Sequence, residues 1–211
     1  MEKQGNGRFS ATVIRNVFLA FLCAAVLAGI WPGVQAEAAS VKSKARKAYQ
    51  KMLTQKSITW GDGKTLISAG DCRFGLVYID NNSVPELVLI AGKGADHVGG
   101  FYAVYTYRNG RVMSVAQIRD GFGYYKKKGI FTSYTALHGE YETYFRLVKG
   151  KATAKLRKET YYDTLYYDGV SDKQITQKVF NRKLKKLVGS TKLTIPRFYK
   201  NTKANRKKYI K

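Results

Sequence analysis

The sequence predicts an α+β fold: an antiparallel twisted sheet, built as a meander of hairpins, covered by an N-terminal and a C-terminal helix. Apolar residues recur at helical spacing near residue 41 and again near residue 180. Between them, residues 74–167 consist of short β-branched and aromatic runs. Short glycine-containing connections separate many of these runs, and such connections join antiparallel neighbours.

A secretory signal peptide is predicted at the start of the chain. Its basic residues are Lys3, Arg8 and Arg15. An uncharged apolar run at 17–31 follows, and small residues then allow cleavage after Ala36 or Ala38. The run is shorter than the roughly 18–20 residues that span a bilayer, and an uncleaved membrane anchor is the alternative. We therefore expect a secreted, extracellular protein, with residues 1–39 as signal peptide and residues 40–211 as a single basic domain.

The predicted domain carries a large positive charge. Three of the 38 Lys/Arg and two of the 14 Asp/Glu lie in residues 1–39, so residues 40–211 keep 35 cations, 12 acids and a net charge of +23. A charge of this size attracts anionic polymers. Cys72 is the one cysteine outside the signal peptide, which excludes an intramolecular disulfide, and we expect it to be a small buried residue.

The first predicted element of the domain is a helix that begins near Val41, with Ser40 as its cap. Tyr49 and Leu53 belong to its apolar face. Residues 57–71 contain several glycines and are predicted to form a loop.

A series of strands is predicted next. The Asn109-Gly110 pair between two of them is the strongest hairpin signal in the chain. The predicted strands are 74–79, 87–90, 101–107, 112–118, 130–137, 141–148, 152–159 and 161–167.

Helix is predicted again near the C-terminus. Thr176 would cap a helix that places Phe180 and Leu184 on one face, and Gly189 stands where a helix-terminating glycine belongs. A short basic helix is predicted to start near Thr202.

Two segments of the chain carry a family resemblance. From Phe74 to Leu87, an apolar strand leads through an Asp/Asn turn into Pro-Glu-Leu and a second strand. The C-terminus reads Phe-Tyr-Lys-Asn-Thr from Phe198, followed by Asn-Arg-Lys-Lys-Tyr from Asn205. Both segments resemble a family of secreted Firmicutes exoproteins of the Lachnospiraceae or Clostridia type. The resemblance extends from about residue 41 to the end and implies this fold, but no activity.

In the family pattern the Asp/Asn turn resembles a calcium loop, which makes Asp80, Asn82 and Glu86 the candidate metal ligands. Tyr78 replaces the first aspartate of that pattern, and Ser83 replaces the glycine of the sharp turn. A strongly basic protein also disfavours cation capture at a weak site. We therefore predict a degenerate turn that binds no metal, with left-handed asparagines and Glu86 paired to a lysine. No cofactor is predicted.

Few residues are candidates for catalysis. His97 and His138 are the two histidines, and their spacing is not that of zinc ligands. Glu140 and Glu142 lie two apart in a predicted strand and so face the same way, whereas glycosidase carboxylates face each other across a cleft. We expect these carboxylates to pair with surface lysines and the domain to be non-catalytic. A secreted hydrolase of wall or host polymers that uses Glu140, Glu142, His97 or His138 is the alternative.

Clusters of lysine and arginine alternate with tyrosine pairs along the chain. Cations can hold phosphates and aromatic rings can stack on bases or sugars, although tyrosine also suits half-buried strand positions. We predict a binding protein that associates electrostatically with an anionic cell-wall polymer or a membrane surface. An extracellular nucleic-acid binder is an alternative, export argues against intracellular nucleic acid, and a protein partner stays open. The predicted contact residues are Lys126, Lys127, Lys128, Arg182, Lys183, Lys185, Lys186, Arg206, Lys207 and Lys208.

Overall fold

The computed structural model describes four stretches of the chain, which are residues 32–59, 66–91, 101–136 and 138–211. The basic and apolar segments of the predicted signal peptide lie outside these stretches, and so does His97. Among the described residues, no helix combines the length and the apolar character needed to cross a membrane. The chain divides into two units, Met1–Ser40 and Val41–Lys211, and the fold below is that of the second unit.

The described residues form helices and strands with the following bounds. The helices are α1 (Pro32–Leu53), α2 (Gln177–Val188) and α3 (Lys203–Tyr209). The first strands are β1 (Ser57–Thr59), β2 (Leu66–Ser68), β3 (Arg73–Val77), β4 (Glu86–Ala91), β5 (Phe101–Arg108) and β6 (Arg111–Arg119). The later strands are β7 (Gly121–Tyr125), β8 (Ile130–Thr135), β9 (Glu140–Val148), β10 (Lys151–Thr160), β11 (Thr164–Asp168), β12 (Gln174–Ile175), β13 (Leu193–Thr194) and β14 (Tyr199–Lys200).

The predicted α+β class and the antiparallel pairing of its strands are confirmed, but the strands divide between two main sheets. The first sheet has the order β14-β3-β4-β5-β6 and the second has the order β12-β11-β10-β9-β8-β7-β13, while β1 and β2 form a separate pair. Asp120, with φ of 63°, lies between β6 and β7. At this residue the chain leaves the first sheet and enters the second without a hairpin turn. The order of apolar and aromatic runs in the sequence therefore did not show that the strands divide between two sheets.

The two main sheets pack face to face, and a helix covers each outer face. Val88, Val104 and Phe131 belong to the core between the sheets. The outer face of the first sheet packs against α1 and the C-terminal Ile210, and the outer face of the second packs against α2 through Phe180. The resulting order of layers is helix, sheet, sheet, helix, which places α2 and α3 on opposite outer layers.

Helix α1 buries the predicted face but starts earlier than predicted. Tyr49 and Leu53 are almost completely buried in the outer core of the first sheet. The helix begins at Pro32, so Ser40 is not its cap. Proline is well suited to the first turn of a helix, and the alanines at 36, 38 and 39 favour its continuation.

Three other boundaries differ from the prediction. Residues 57–59 and 66–68 are strands, so the predicted 57–71 loop is wrong where the structure describes it. The bend at 161–163 shortens the last predicted strand to β11. Strand β7 was not predicted because its two glycines weaken the strand signal, and a Cβ on Gly123 would come within 2.9 Å of a Leu193 methyl group.

The predicted caps and tight turn are confirmed. Thr176 and Thr202 each accept a hydrogen bond from the backbone N–H three residues further on. Gly189 ends α2 with φ of 62°. Asn109 and Gly110 have φ of 52° and 78°, as a type I′ hairpin turn requires. These signals act over a few residues, which is why the sequence alone located them.

Candidate polyanion-binding surface

Helix α2 presents a cationic face to solvent. Its sequence contains no acidic residue, and Phe180 and Val188 are buried against the second sheet. The cations therefore lie on the remaining faces, where all but Lys183 are exposed. These cations are Lys178, Arg182, Lys183, Lys185 and Lys186.

The lysine turn between β7 and β8 lies beside the C-terminal end of α2. Its three lysines, at 126–128, are all exposed. A Cβ placed on Gly189 would be 4.0 Å from Nζ of Lys128. Two backbone N–H groups of the turn donate hydrogen bonds to the carbonyl oxygens of Tyr78 (2.9 Å) and Ile79 (2.7 Å), which anchor it. The structure thus brings together two cation clusters that lie fifty or more residues apart in the sequence.

A cavity of about 280 Å³ opens between α2 and the second sheet. Arg146 on β9 and Lys155 on β10 line it, together with Lys186 on α2. We call it the α2 cavity. No acidic residue of the described chain forms an ion pair with any of these three cations. The sequence did not identify Arg146 and Lys155 as candidates, because each is a single cation within a strand rather than part of a cluster. The register shift between Ala154 and Leu156 also prevents the side of the sheet on which Lys155 lies from being predicted by simple alternation.

One acid also lines the α2 cavity, and it is already engaged. Asp168 forms an ion pair with Lys183, and its Oδ1 accepts hydrogen bonds from the backbone N–H groups of Val170 (3.1 Å) and Ser171 (3.0 Å). The bond from Lys183, followed by those from the turn, lowers the pKa of Asp168 well below its ordinary value. Lys183, a predicted contact residue, is therefore neutralised within the protein, whereas its neighbours on α2 keep their charge for an external anion.

Several of the paired tyrosines that were predicted as stacking groups are packing residues. Tyr166 lies under α2, with its ring centroid 5.0 Å from that of Phe180, and Tyr125 is buried in the same cluster. Tyr161 and Tyr162 are exposed, but they lie at the opposite end of β11 from Asp168. The clusters of cations therefore lie together around α2, whereas the exposed tyrosine rings lie away from them.

The C-terminal cations lie on the other outer layer, around α3. Nη1 of Arg206 donates a hydrogen bond to Oδ1 of the buried Asn201 at 2.7 Å, so this arginine has a structural role. A shallow cavity of about 440 Å³ is lined here by Lys203, Lys207 and Lys211, while Lys208 is exposed beside it. The predicted set of contact residues thus splits into two separate basic regions.

The Asp/Asn turn holds a buried carboxyl group. Glu86 is fully buried, and its Oε2 accepts a hydrogen bond from the backbone N–H of Ile79 at 2.9 Å. Burial, followed by the nearby Asp80 carboxylate, raises the pKa of Glu86 to about 8. The predicted lysine pairing of Glu86 is wrong, since the side chain turns inward to bind its own loop. The expected left-handed asparagines are also wrong, because neither Asn81 nor Asn82 has a positive φ.

Three side-chain oxygens of this turn accept hydrogen bonds from its own backbone, whereas Oε1 of the buried Glu86 makes no hydrogen bond within it. Oδ1 of Asp80 accepts from the backbone N–H of Asn82 at 3.0 Å, and Oδ1 of Asn82 accepts from that of Val84 at 2.6 Å. No group of three or more metal-ligating His, Cys, Asp or Glu side chains occurs among the described residues. The candidate ligands Asp80, Asn82 and Glu86 therefore lie in one turn whose hydrogen bonds are internal.

The candidate catalytic carboxylates lie on the outer face of the second sheet. Glu142 is hydrogen-bonded to Tyr144, whose pKa is raised by burial and then by this carboxylate. Glu140 is hydrogen-bonded to Tyr134 on the neighbouring strand. Among the described residues, the partners of Glu140 and Glu142 are thus tyrosines and not the lysines that were expected. His138 is exposed, with φ of 53°, in the turn before β9.

No family model, curated protein or solved structure matches the chain. The resemblance to secreted Firmicutes exoproteins therefore stays a prediction.

Proposed function

We propose that this protein is secreted and binds an anionic polymer of the cell envelope through the surface formed by α2, the 126–128 turn and the α2 cavity, which we call the α2 face. The proposed role is association rather than catalysis. The observation that carries the proposal is the convergence of cations from four elements around a helix that contains no acidic residue. Clustered cations bind polyanions largely by releasing the counterions that the polymer had condensed.

The shape of the α2 face favours a flexible chain as the partner. A cavity between a helix and a sheet can admit one anionic unit of a polymer, whereas a membrane offers a flat plane of headgroups. The outer surface of a Gram-positive envelope carries polyol-phosphate polymers with one negative charge per unit. Such a chain would place successive phosphates along the exposed lysines of α2 and of the 126–128 turn.

The affinity of the α2 face for a polyanion should depend strongly on ionic strength, because its contacts are between opposite charges. Screening at physiological salt shortens the reach of each charge to about 8 Å, so several cations must act together.

Co-sedimentation of the purified full chain with bacterial walls tests the proposal. Walls with and without their polyol-phosphate polymers are compared over a series of salt concentrations. We expect retention on intact walls that decreases linearly on a log–log plot as salt increases, and little retention on stripped walls. Equal retention on stripped walls, or retention that salt does not change, would contradict the proposal.

Two further samples separate the proposal from its alternatives. Double-stranded DNA bound more tightly than the wall polymer, at the same salt, would favour an extracellular nucleic-acid binder. Anionic lipid vesicles bound more tightly than walls would favour a membrane surface. Either result would overturn the wall polymer as the partner.

A further inference from the structure

The α2 cavity has the composition of a site for a single phosphate group. Its cations come from three different elements: Arg146 from β9, Lys155 from β10 and Lys186 from α2. Side chains from separate elements approach a bound group from different directions. Cations on one helix face, in contrast, line up along a row. The cavity is therefore suited to enclose one anion rather than to follow a chain.

The donor groups of the cavity match phosphate chemistry. The planar guanidinium of Arg146 can donate two parallel hydrogen bonds to two oxygens of a phosphate, and each lysine supplies a compact positive charge. The carboxylate of Asp168 repels a bound anion less than a free carboxylate would, because it forms an ion pair with Lys183. Two backbone N–H groups also donate hydrogen bonds to its Oδ1.

The walls of the cavity supply a second feature. Leu156, Leu187 and Val170 line it beside the cations. The volume of the cavity, about 280 Å³, is larger than a bare phosphate group would fill, since one water molecule occupies about 30 Å³ in the liquid. The apolar walls can therefore contact the carbon atoms of a short polyol or ester attached to the phosphate.

The other basic cavity lacks these features. Its lysines, at 203, 207 and 211, all come from α3 and the chain end that follows it. Arg206, the one arginine there, donates to Asn201. This region therefore offers lysine side chains to an anion, but its arginine is already hydrogen-bonded within the protein.

We propose that the α2 cavity binds one phosphate group of a polyol-phosphate chain, with Arg146, Lys155 and Lys186 as its ligands. This inference rests on the proposed function, because it assigns the specific contact within the α2 face. The remaining exposed cations of α2 and of the 126–128 turn contribute long-range attraction.

Titration of the full chain with inorganic phosphate, followed by amide NMR shifts, tests the cavity directly. Lys186→Gln and Lys185→Gln form a matched pair, since both lysines are exposed and adjacent on α2 but only Lys186 lines the cavity. We expect Lys186→Gln to weaken phosphate binding about ten-fold, the usual effect of losing a charged hydrogen bond, and Lys185→Gln to weaken it less than about two-fold. The largest shifts should come from the amides of Leu156 and Leu187.

A second matched pair tests the arginine. Arg146→Lys keeps the charge but removes the bidentate geometry, and we expect about a five-fold loss of phosphate affinity. Arg182→Lys, an exposed position on α2 outside the cavity, should have no effect. Equal losses within either pair would overturn the cavity as the site, because they would show that phosphate responds only to overall charge.

The wall experiment separates failure of this inference from failure of the proposed function. Salt-sensitive retention on intact walls that Lys186→Gln and Lys185→Gln weaken equally would leave polymer binding standing and overturn the cavity. Phosphate binding at the cavity without wall retention would support the site and overturn the wall polymer as its source.

Discussion

The two basic regions of the molecule are both rich in lysine and arginine but are built differently. In the α2 face, cations from a helix, a turn and two strands converge beside a cavity, and the local acid is paired within the protein. In the α3 region the cations belong to one short helix and the chain end, and the arginine is bound to Asn201.

A count of cations in the sequence does not by itself locate a binding surface. The sequence shows Arg-Lys and Lys-Lys clusters in both regions, and both were predicted as contacts. The structure separates them by showing which cations already have partners. Lys183 and Arg206 both belonged to the predicted contact set, and both are engaged inside the protein.

Asn201 in the α3 region is expected to make a large contribution to stability. Its Nδ2 donates to the carbonyl oxygens of Leu53 (2.9 Å) and Ala69 (2.7 Å), and these bonds are buried. Asn201→Ala should lower the free energy of unfolding by about 2–3 kcal/mol, because it removes two buried hydrogen bonds to carbonyl oxygens and releases Arg206. Chemical denaturation measures this loss.

Asn205→Ala is the matched control for Asn201→Ala. Asn205 donates to the Lys200 carbonyl at an exposed site, so its loss should cost less than about 1 kcal/mol. Equal costs for the two variants would mean that the α3 region is not held by Asn201, and Arg206 would then be as free to bind an anion as the cations of α2.

The stability of the protein should depend on pH through the buried carboxyl group of Glu86. Glu86 lies at the start of β4, on the same face of the first sheet as Val88, with its pKa raised from 4.5 to about 8, so it is protonated in the folded protein at neutral pH but ionised in the unfolded chain. The unfolded state then binds fewer protons. The contribution of Glu86 to stability is therefore fully present below pH 4.5 and is lost as pH rises towards about 8.

Glu86→Gln tests this dependence. Between about pH 5 and 7.5 the free energy of unfolding of the wild type should fall, relative to that of the variant, by up to about 1.4 kcal/mol per pH unit. Glutamine keeps the acceptor for the N–H of Ile79 and cannot ionise. Parallel stability curves for the two proteins over this range would show that Glu86 is ionised in the folded state.

A smaller effect is expected at Asp168 in the α2 cavity. Asp168→Asn removes the negative charge and frees Lys183, while the amide oxygen can still accept from the turn. The ion pair is partly exposed, so stability should change by less than about 1 kcal/mol. Phosphate affinity should rise about three-fold, since one more cation faces the cavity. Calorimetric titration measures it, and unchanged or weaker binding would place the anion elsewhere.

The parts of this fold that were predicted correctly depend on neighbouring residues. Thr176, Gly189 and the Asn109-Gly110 turn act through hydrogen bonds and backbone angles within a few positions. The buried face of α1 follows from helical spacing alone. These features need no knowledge of the rest of the chain.

The division into two sheets and the cavity could not be predicted in this way. The first depends on a single left-handed residue, Asp120, that redirects the chain between β6 and β7. The second depends on the strand register that places Arg146 and Lys155 under Lys186, including a shift within β10. The inward turn of Glu86 also escaped prediction, because burial of a carboxyl group is set by the layers that close over it.

Wall binding by two matched triple variants tests whether the α2 face, rather than net charge, holds the polymer. Lys178, Lys185 and Lys186 are changed to glutamine on α2, and Lys203, Lys207 and Lys208 are changed to glutamine on α3; all six lysines are exposed. Both variants lose three charges. We expect the α2 variant to reduce the slope of log affinity against log salt by about two to three, roughly one for each phosphate that is no longer neutralised, and the α3 variant to leave it within about one of the wild type. Equal slopes and equal affinities for the two variants would contradict the account, because net charge rather than the α2 face would then hold the polymer.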